Sequence, residues 1–160
     1  MAEELPTKFK TVPYSSFFKL WYFIQKALPE DVRKTVLMKV GRAIGNEFNI
    51  EGINTIDQFL SAATRFVVDE WGITDSANFQ AIKEGDTIVR IVDKLDSCKM
   101  CFSNTYYKLH DQGHPECMFP HVMLAILGKV RTKFGFKNIS FESVRKPGPI
   151  GECIMSWRVN

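Results

Sequence analysis

Apolar residues recur with helical spacing through the first half of the chain. They fall every three or four positions over 17–28, again from position 32 to position 44, and again from position 56 to position 67. This spacing predicts three helices with apolar stripes. Residues 1–13 have no such period and contain two prolines, so we expect an extended arm there.

Local signals refine these helices. Pro29 marks the start of the second helix, and Asn54 or Thr55 is the expected N-cap of the third. Gly41 and Gly45 lie one turn apart in the second helix. We interpret this pair as a site of close helix packing, with ligand contact as the alternative.

In the second half of the chain, the spacing of apolar residues changes. Runs of β-branched residues and Gly/Pro turns predict two hairpins, and a four-residue apolar repeat predicts a long helix between them. The predicted elements are strands at 78–83 and 87–95, a helix at 120–134, and strands at 139–144 and 152–159. Helices that pack on a mainly antiparallel sheet define an α+β fold, here as one domain over 1–160.

Composition narrows the classes of function. Of the 160 residues, 45% are apolar and 24% are charged, so a disordered chain is excluded. The net charge of +3 is too mild to favour nucleic acid. No apolar stretch reaches the roughly 18 residues that a membrane span needs. The acidic N-terminus has no apolar run before Lys8, so we expect no signal peptide and a cytoplasmic location.

Four cysteines are the candidates for a metal-binding or redox site. Cys98 and Cys101 form a Cys-x-x-Cys pair after a predicted strand, Cys117 precedes the long helix, and Cys153 lies near the start of the last strand. A Cys-x-x-Cys turn can place two thiolates on one tetrahedral ion, which two distant thiolates would complete. Unrelated buried thiols and a redox dithiol are the alternatives that spacing alone leaves open.

The segments around the last two cysteines are similar to those of a known family. They are Pro115-Glu116-Cys117, Ile139-Ser140-Phe141-Glu142 and Gly151-Glu152-Cys153, with a Pro/Gly turn before the last. In this order the chain resembles the 4-vinyl reductase, or hydrocarbon-binding, domain family. That family is related in fold to haem nitric-oxide sensors and to a subunit type of the TRAPP tethering complex. The resemblance covers mainly 98–159.

The resemblance implies a structural zinc site. Carried over from related sites, the metal positions are Cys117, Glu142 and Cys153. A further cysteine of those sites corresponds to Arg145, which cannot bind zinc, so we expect Cys98 or Cys101 to supply missing thiolates. The predicted ligands are therefore the four cysteines, Cys98, Cys101, Cys117 and Cys153, with Glu142, His110 and His114 as alternates. Four protein ligands leave no open position on zinc, so such a site would be structural.

The resemblance also implies a pocket for a small apolar or aromatic molecule, and a homodimer formed through the apolar first helix. The candidate pocket residues are Phe102, Tyr106, Phe119, Met123, Phe141, Met155 and Trp157, for each of which core packing is the alternative. Two other functions stay open: a reductase of a tetrapyrrole vinyl group, and a TRAPP-like protein-interaction module. The sequence contains no phosphate-binding loop and no evident nucleophile–base pair.

Overall fold

The computed structural model describes residues 20, 21, 23, 24, 26–85, 88–94, 117–145 and 152–160, with the backbone alone for 88–94, 143–145, 152 and 153. The described residues between 20 and 27 are helical. Three further helices follow, α1 (Glu30–Glu47), α2 (Ile56–Arg65) and α3 (Phe119–Phe134), and a π-helical turn, Phe66–Glu70, continues α2.

Helix ends follow local chemistry. Pro29 precedes α1, whose first turn is acidic, as a helix N-terminus favours. The Thr55 hydroxyl accepts from the backbone N–H of Gln58, and the Gln58 side chain accepts from the backbone N–H of Thr55, which completes a capping box on α2. Gly135 ends α3 with φ 71°, a left-handed conformation that glycine adopts without strain.

Within the described residues, four strands form one antiparallel sheet: β1 (Phe79–Glu84), β2 (Ile88–Lys94), β3 (Ile139–Arg145) and β4 (Glu152–Val159). The spatial order is β1-β2-β4-β3, so the antiparallel pairs β1–β2 and β3–β4 join through the β2–β4 pair. This arrangement confirms the α+β class and the antiparallel sheet. The observed strands differ from the predicted bounds by about a residue, as the uncertainty of strand ends allows.

Helix α3 supplies the centre of the core. Its apolar face is buried against α1 and β3, together with α2 side chains and the last strand. The largest fully buried side chains are Trp157, Phe59, Met123, Ile126, Leu127, Val67, Val122, Val130 and Val159. Along β4, the alternate residues Met155, Trp157 and Val159 are all buried, so one face of the sheet packs inward.

Glycines bring α1 and α3 unusually close. The buried stripe of α1 is Leu37, Gly41 and Gly45. Of its valines, Val36 and Val40 are partly buried and Val32 is exposed. A Cβ added at Gly45 would lie 2.5 Å from the backbone oxygen of Val122, and one at Gly41 would lie 2.7 Å from the Cβ of His121. The glycine pair is therefore a close-packing site between helices, as interpreted from the sequence.

The first helix differs from expectation. The sequence places apolar residues on nearly all sides of this helix, which indicates that the helix is buried on more than one side. In the single chain, however, the side chains of Leu20 and Phe23 are both 61% exposed. A monomer thus leaves uncovered part of the apolar surface that the pattern predicts to be buried.

Candidate functional site

The site is built at the end of the sheet where β4 begins. Asp93 of β2 is the register partner of both Phe79 of β1 and Cys153 of β4, so these three positions form one row across the sheet. We call this row, together with the start of α3, the cysteine end. The opposite end is marked by the pairing of Ile139 with Val159.

The start of α3 contacts the sheet through Phe119. This ring packs on Phe79, in the row of Cys153, and on Trp157, four residues further along β4. Just beyond the C-terminus of α3, Asn138 exchanges backbone hydrogen bonds with Asn160, at the opposite end of the sheet. Cys117 lies two residues before Phe119.

Cys117 is half-buried and precedes α3. The backbone N–H of Phe119 donates to its Sγ at 3.4 Å. A donor to sulfur and the positive end of the helix dipole both favour a negatively charged sulfur at this position. The local structure thus suits a thiolate ligand.

The two cysteines of the Cys-x-x-Cys pair lie outside the described residues, as do His110, His114, Phe102 and Tyr106. β2, which precedes them in the chain, ends at Lys94, opposite Glu152 at the cysteine end.

Among the described side chains, Glu142 contacts Arg158, and its role as a metal ligand stays a prediction. Its carboxylate accepts a hydrogen bond from the Nε of Arg158 at 2.6 Å, in an exposed cross-strand ion pair. Arg158 alternates with the buried Trp157 and lies nearer the opposite end of the sheet. Arg145 pairs with Ile154, in the row next to Cys153.

Aromatic rings meet at the start of α3. Phe119 stacks on Trp71 with ring centroids 6.0 Å apart, and it contacts Phe79 at 6.3 Å and Trp157 at 6.2 Å. Phe141 contacts Trp157, with ring centroids 5.7 Å apart. These side chains form an aromatic cluster that extends from Phe79, at the cysteine end, to Phe141, which pairs with Trp157 nearer the opposite end of the sheet.

Of the predicted pocket residues that the structure describes, Phe119, Met123, Met155 and Trp157 are buried in the core, and Phe141 is partly buried against it. The buried Nε1 of Trp157 donates to the backbone oxygen of Pro120 at 3.3 Å, which ties β4 to the start of α3. Contact between the predicted pocket residues and a ligand stays a prediction.

Sequence reasoning missed Trp71 as a member of the cluster. Trp71 directly follows the π-helical turn that continues α2, and only the fold brings it against Phe119. An aromatic residue at the end of an amphipathic helix was the available signal, and spacing along the chain could not identify its neighbour.

His121 lies half-buried in the first turn of α3, against Gly41 of α1. Burial lowers the pKa of His121 below its ordinary value, and the positive charge of Arg42 lowers it further. The neutral imidazole is therefore favoured at this helix contact.

Among the side chains that the structure describes, no group of three or more His, Cys, Asp or Glu forms a metal site. Three of the four predicted thiolates, Cys98, Cys101 and Cys153, are outside that set. The chemistry of the donors itself fits zinc, because thiolates with a carboxylate or imidazole are its usual closed ligand set.

No protein-family model matches this chain, and no curated protein matches it. In the part of the chain that the structure describes, none of the helices is long and apolar enough to cross a bilayer. The function therefore has to be argued from the residues of the site.

Proposed function

We propose that this chain is a binding domain for a small apolar or aromatic molecule, stabilised by a structural zinc ion at the cysteine end. The observation that carries the proposal is that Cys153 lies in the same row of the sheet as Phe79, and Phe79 packs on Phe119, two residues after Cys117. In the adjacent row, β2 ends at Lys94, which is four residues before Cys98 in the sequence.

Zinc at this position would act as a cross-link. A closed site of four protein ligands would join the start of α3, the start of β4 and the chain that follows β2. These segments are far apart in sequence, so the ion would stabilise the folded state by holding long loops closed. It would also set the position of the neighbouring aromatic cluster.

The aromatic cluster supports the choice of ligand. Ligand sites are mostly apolar, with a few polar groups that fix orientation. Trp71 and Phe141 are partly exposed members of the cluster, while Trp157 and Phe119 are buried behind them. An aromatic guest could stack on the partly exposed rings and be desolvated there.

Metal analysis of the chain purified without added metal tests the zinc site. We expect one equivalent of zinc, and its loss together with thermal stability in Cys117→Ser and Cys153→Ser. Met155→Leu is the control, since it alters packing two residues along β4 without removing a donor. Metal-free protein that is as stable as zinc-loaded protein would overturn the site.

Titration with naphthalene, phenol and protoporphyrin tests ligand binding. Trp71 and Trp157 report ligand binding through their intrinsic fluorescence, because both belong to the aromatic cluster. Each of them contacts Phe119. We expect saturable quenching by at least one of the aromatic probes, and its weakening in Trp71→Ala. The absence of saturable binding by all three probes would refute this part of the proposal.

A protein-interaction module is the second candidate, and one observation favours it. Leu20, Phe23, Ile24 and Val32 are exposed apolar side chains at the N-terminal end of the described chain. A homodimer that covers this surface is expected to sediment as a dimer at micromolar concentration. A monomer there would contradict the homodimer, and Phe23→Glu should dissociate a dimer that uses this surface.

A further inference from the structure

The chain that leads to Trp71 departs from α-helical geometry. Over Phe66–Glu70 it forms a π-helical turn, and the backbone N–H of Trp71 donates to the backbone oxygen of Phe66 at 2.8 Å, five residues earlier. In an α-helix that oxygen would accept from residue 70 instead. The turn therefore gives Trp71 the place around the helix that Glu70 would otherwise take.

That place lies on the buried side of α2. The buried residues that precede position 70 by eleven, seven and four positions, the spacing of one helix face, are Phe59, Ala63 and Phe66. An uninterrupted α-helix would turn Glu70 toward this face. In the structure Glu70 is exposed, and Trp71 stacks on the buried Phe119. The wider turn thus places an indole, in place of a carboxylate, against the start of α3.

The chain after Trp71 holds the indole from the other side. Gly72 has a left-handed conformation with φ 65°, which glycine adopts without strain. The backbone N–H of Ile73 then donates to the backbone oxygen of Val67 at 3.1 Å, and the Ile73 side chain is buried. Trp71 is therefore fixed between two backbone hydrogen bonds rather than carried on a frayed helix end.

Trp71 and Phe119 form an offset stack. Their ring planes differ by 3° and their centroids lie 6.0 Å apart. Parallel rings at such a separation overlap only in part, so each ring extends beyond the other. Trp71 is partly exposed, whereas Phe119 is buried. A planar molecule can extend this stack, whereas a puckered aliphatic ring cannot lie flat on it.

We infer that Trp71 makes the proposed site selective for planar aromatic molecules over aliphatic molecules of the same size. The inference rests on the proposed ligand site and narrows its ligand class. π-Helical turns are rare and occur frequently at functional sites. Here the turn places one flat, partly exposed ring beside the buried rings of the aromatic cluster.

Paired calorimetric titrations of the full chain test the inference, with phenol against cyclohexanol and naphthol against decahydronaphthol. The two members of a pair share a carbon skeleton, which is planar in one and puckered in the other. We expect the planar member to bind about two- to tenfold more tightly, the range that an aromatic contact adds beyond buried area. Trp71→Leu should remove this preference, and Trp71→Phe should reduce it without removing it.

Phe141→Leu is the matched control, because Phe141 is the other partly exposed ring of the cluster and contacts Trp157. It should leave the preference unchanged. Equal binding of both members of each pair, or a full preference in Trp71→Leu, would overturn the inference while leaving the ligand site in place. Absence of saturable binding by all four probes would overturn both. If Trp71→Leu fails to fold, an undiminished preference in Trp71→Phe overturns the inference.

Discussion

Replacing Gly45 by Ala is expected to destabilise the fold although alanine is the better helix former. The new Cβ would lie 2.5 Å from the Val122 oxygen and 2.7 Å from the Ala125 Cβ, and ordinary contact begins near 3.4 Å. The helices would have to separate by about 0.9 Å, and a gap of that size forfeits a quarter to a half of the dispersion energy of the facing atoms.

The balance can be estimated from these contacts. Overpacking costs about 1–3 kcal/mol, and a collision with rigid backbone belongs at the upper end. The gain in helix propensity from Gly to Ala is about 1 kcal/mol. We therefore expect a net loss of about 2 kcal/mol, which in a domain of this size lowers Tm by about 4–8 °C.

Thermal and urea unfolding followed by circular dichroism measure this loss. Gly128→Ala is the control, since this α3 glycine is exposed and an added Cβ there meets no atom within 4 Å. It should stabilise the protein by about 0.5–1 kcal/mol. If Gly45→Ala is as stabilising as Gly128→Ala, the close contact of α1 with α3 is refuted.

Three further perturbations have definite expected outcomes. Trp157→Phe should cost about 1–3 kcal/mol in urea unfolding, because the buried Pro120 oxygen loses its donor; an unchanged midpoint would show that this bond is not needed. Thr55→Ala removes the α2 cap and should cost about 1 kcal/mol, whereas Thr55→Ser should retain most of the stability. The pKa of His121 is lowered in the folded state, so the unfolded chain binds more protons as the pH falls toward and below about 6.5. Stability should therefore be complete above that pH and decline below it, and His121→Gln should flatten this decline in melts recorded from pH 8 to pH 5; an equal pH dependence in both proteins would contradict the role of His121.

The elements themselves were largely predictable. The helix that ends at Gly135, the strand rich in β-branched residues before Cys98, and the capping signal at Thr55 are local features, and the structure contains each element nearly as expected. Local periodicity suffices for this because burying one face of a helix or strand requires apolar residues at its own repeat.

The neighbours within the site were not predictable. Nothing along the chain indicates that β2 pairs with β4, yet that register makes Asp93 the neighbour of Cys153. Likewise nothing along the chain indicates that Arg158 donates to Glu142 across the strands. Cross-strand partners depend on the order in which the hairpins join, and a single residue of register moves a side chain to the other face.

The sequence by itself determined an α+β domain with its helices, its strands and four cysteines of candidate chemistry, because these follow from local period and residue type. Only the tertiary structure decided that α1 approaches α3 through Gly41 and Gly45, and that Phe119 at the start of α3 packs on Phe79, in the row of Cys153. Both are contacts between residues distant in the chain, and such contacts are set by how whole elements pack.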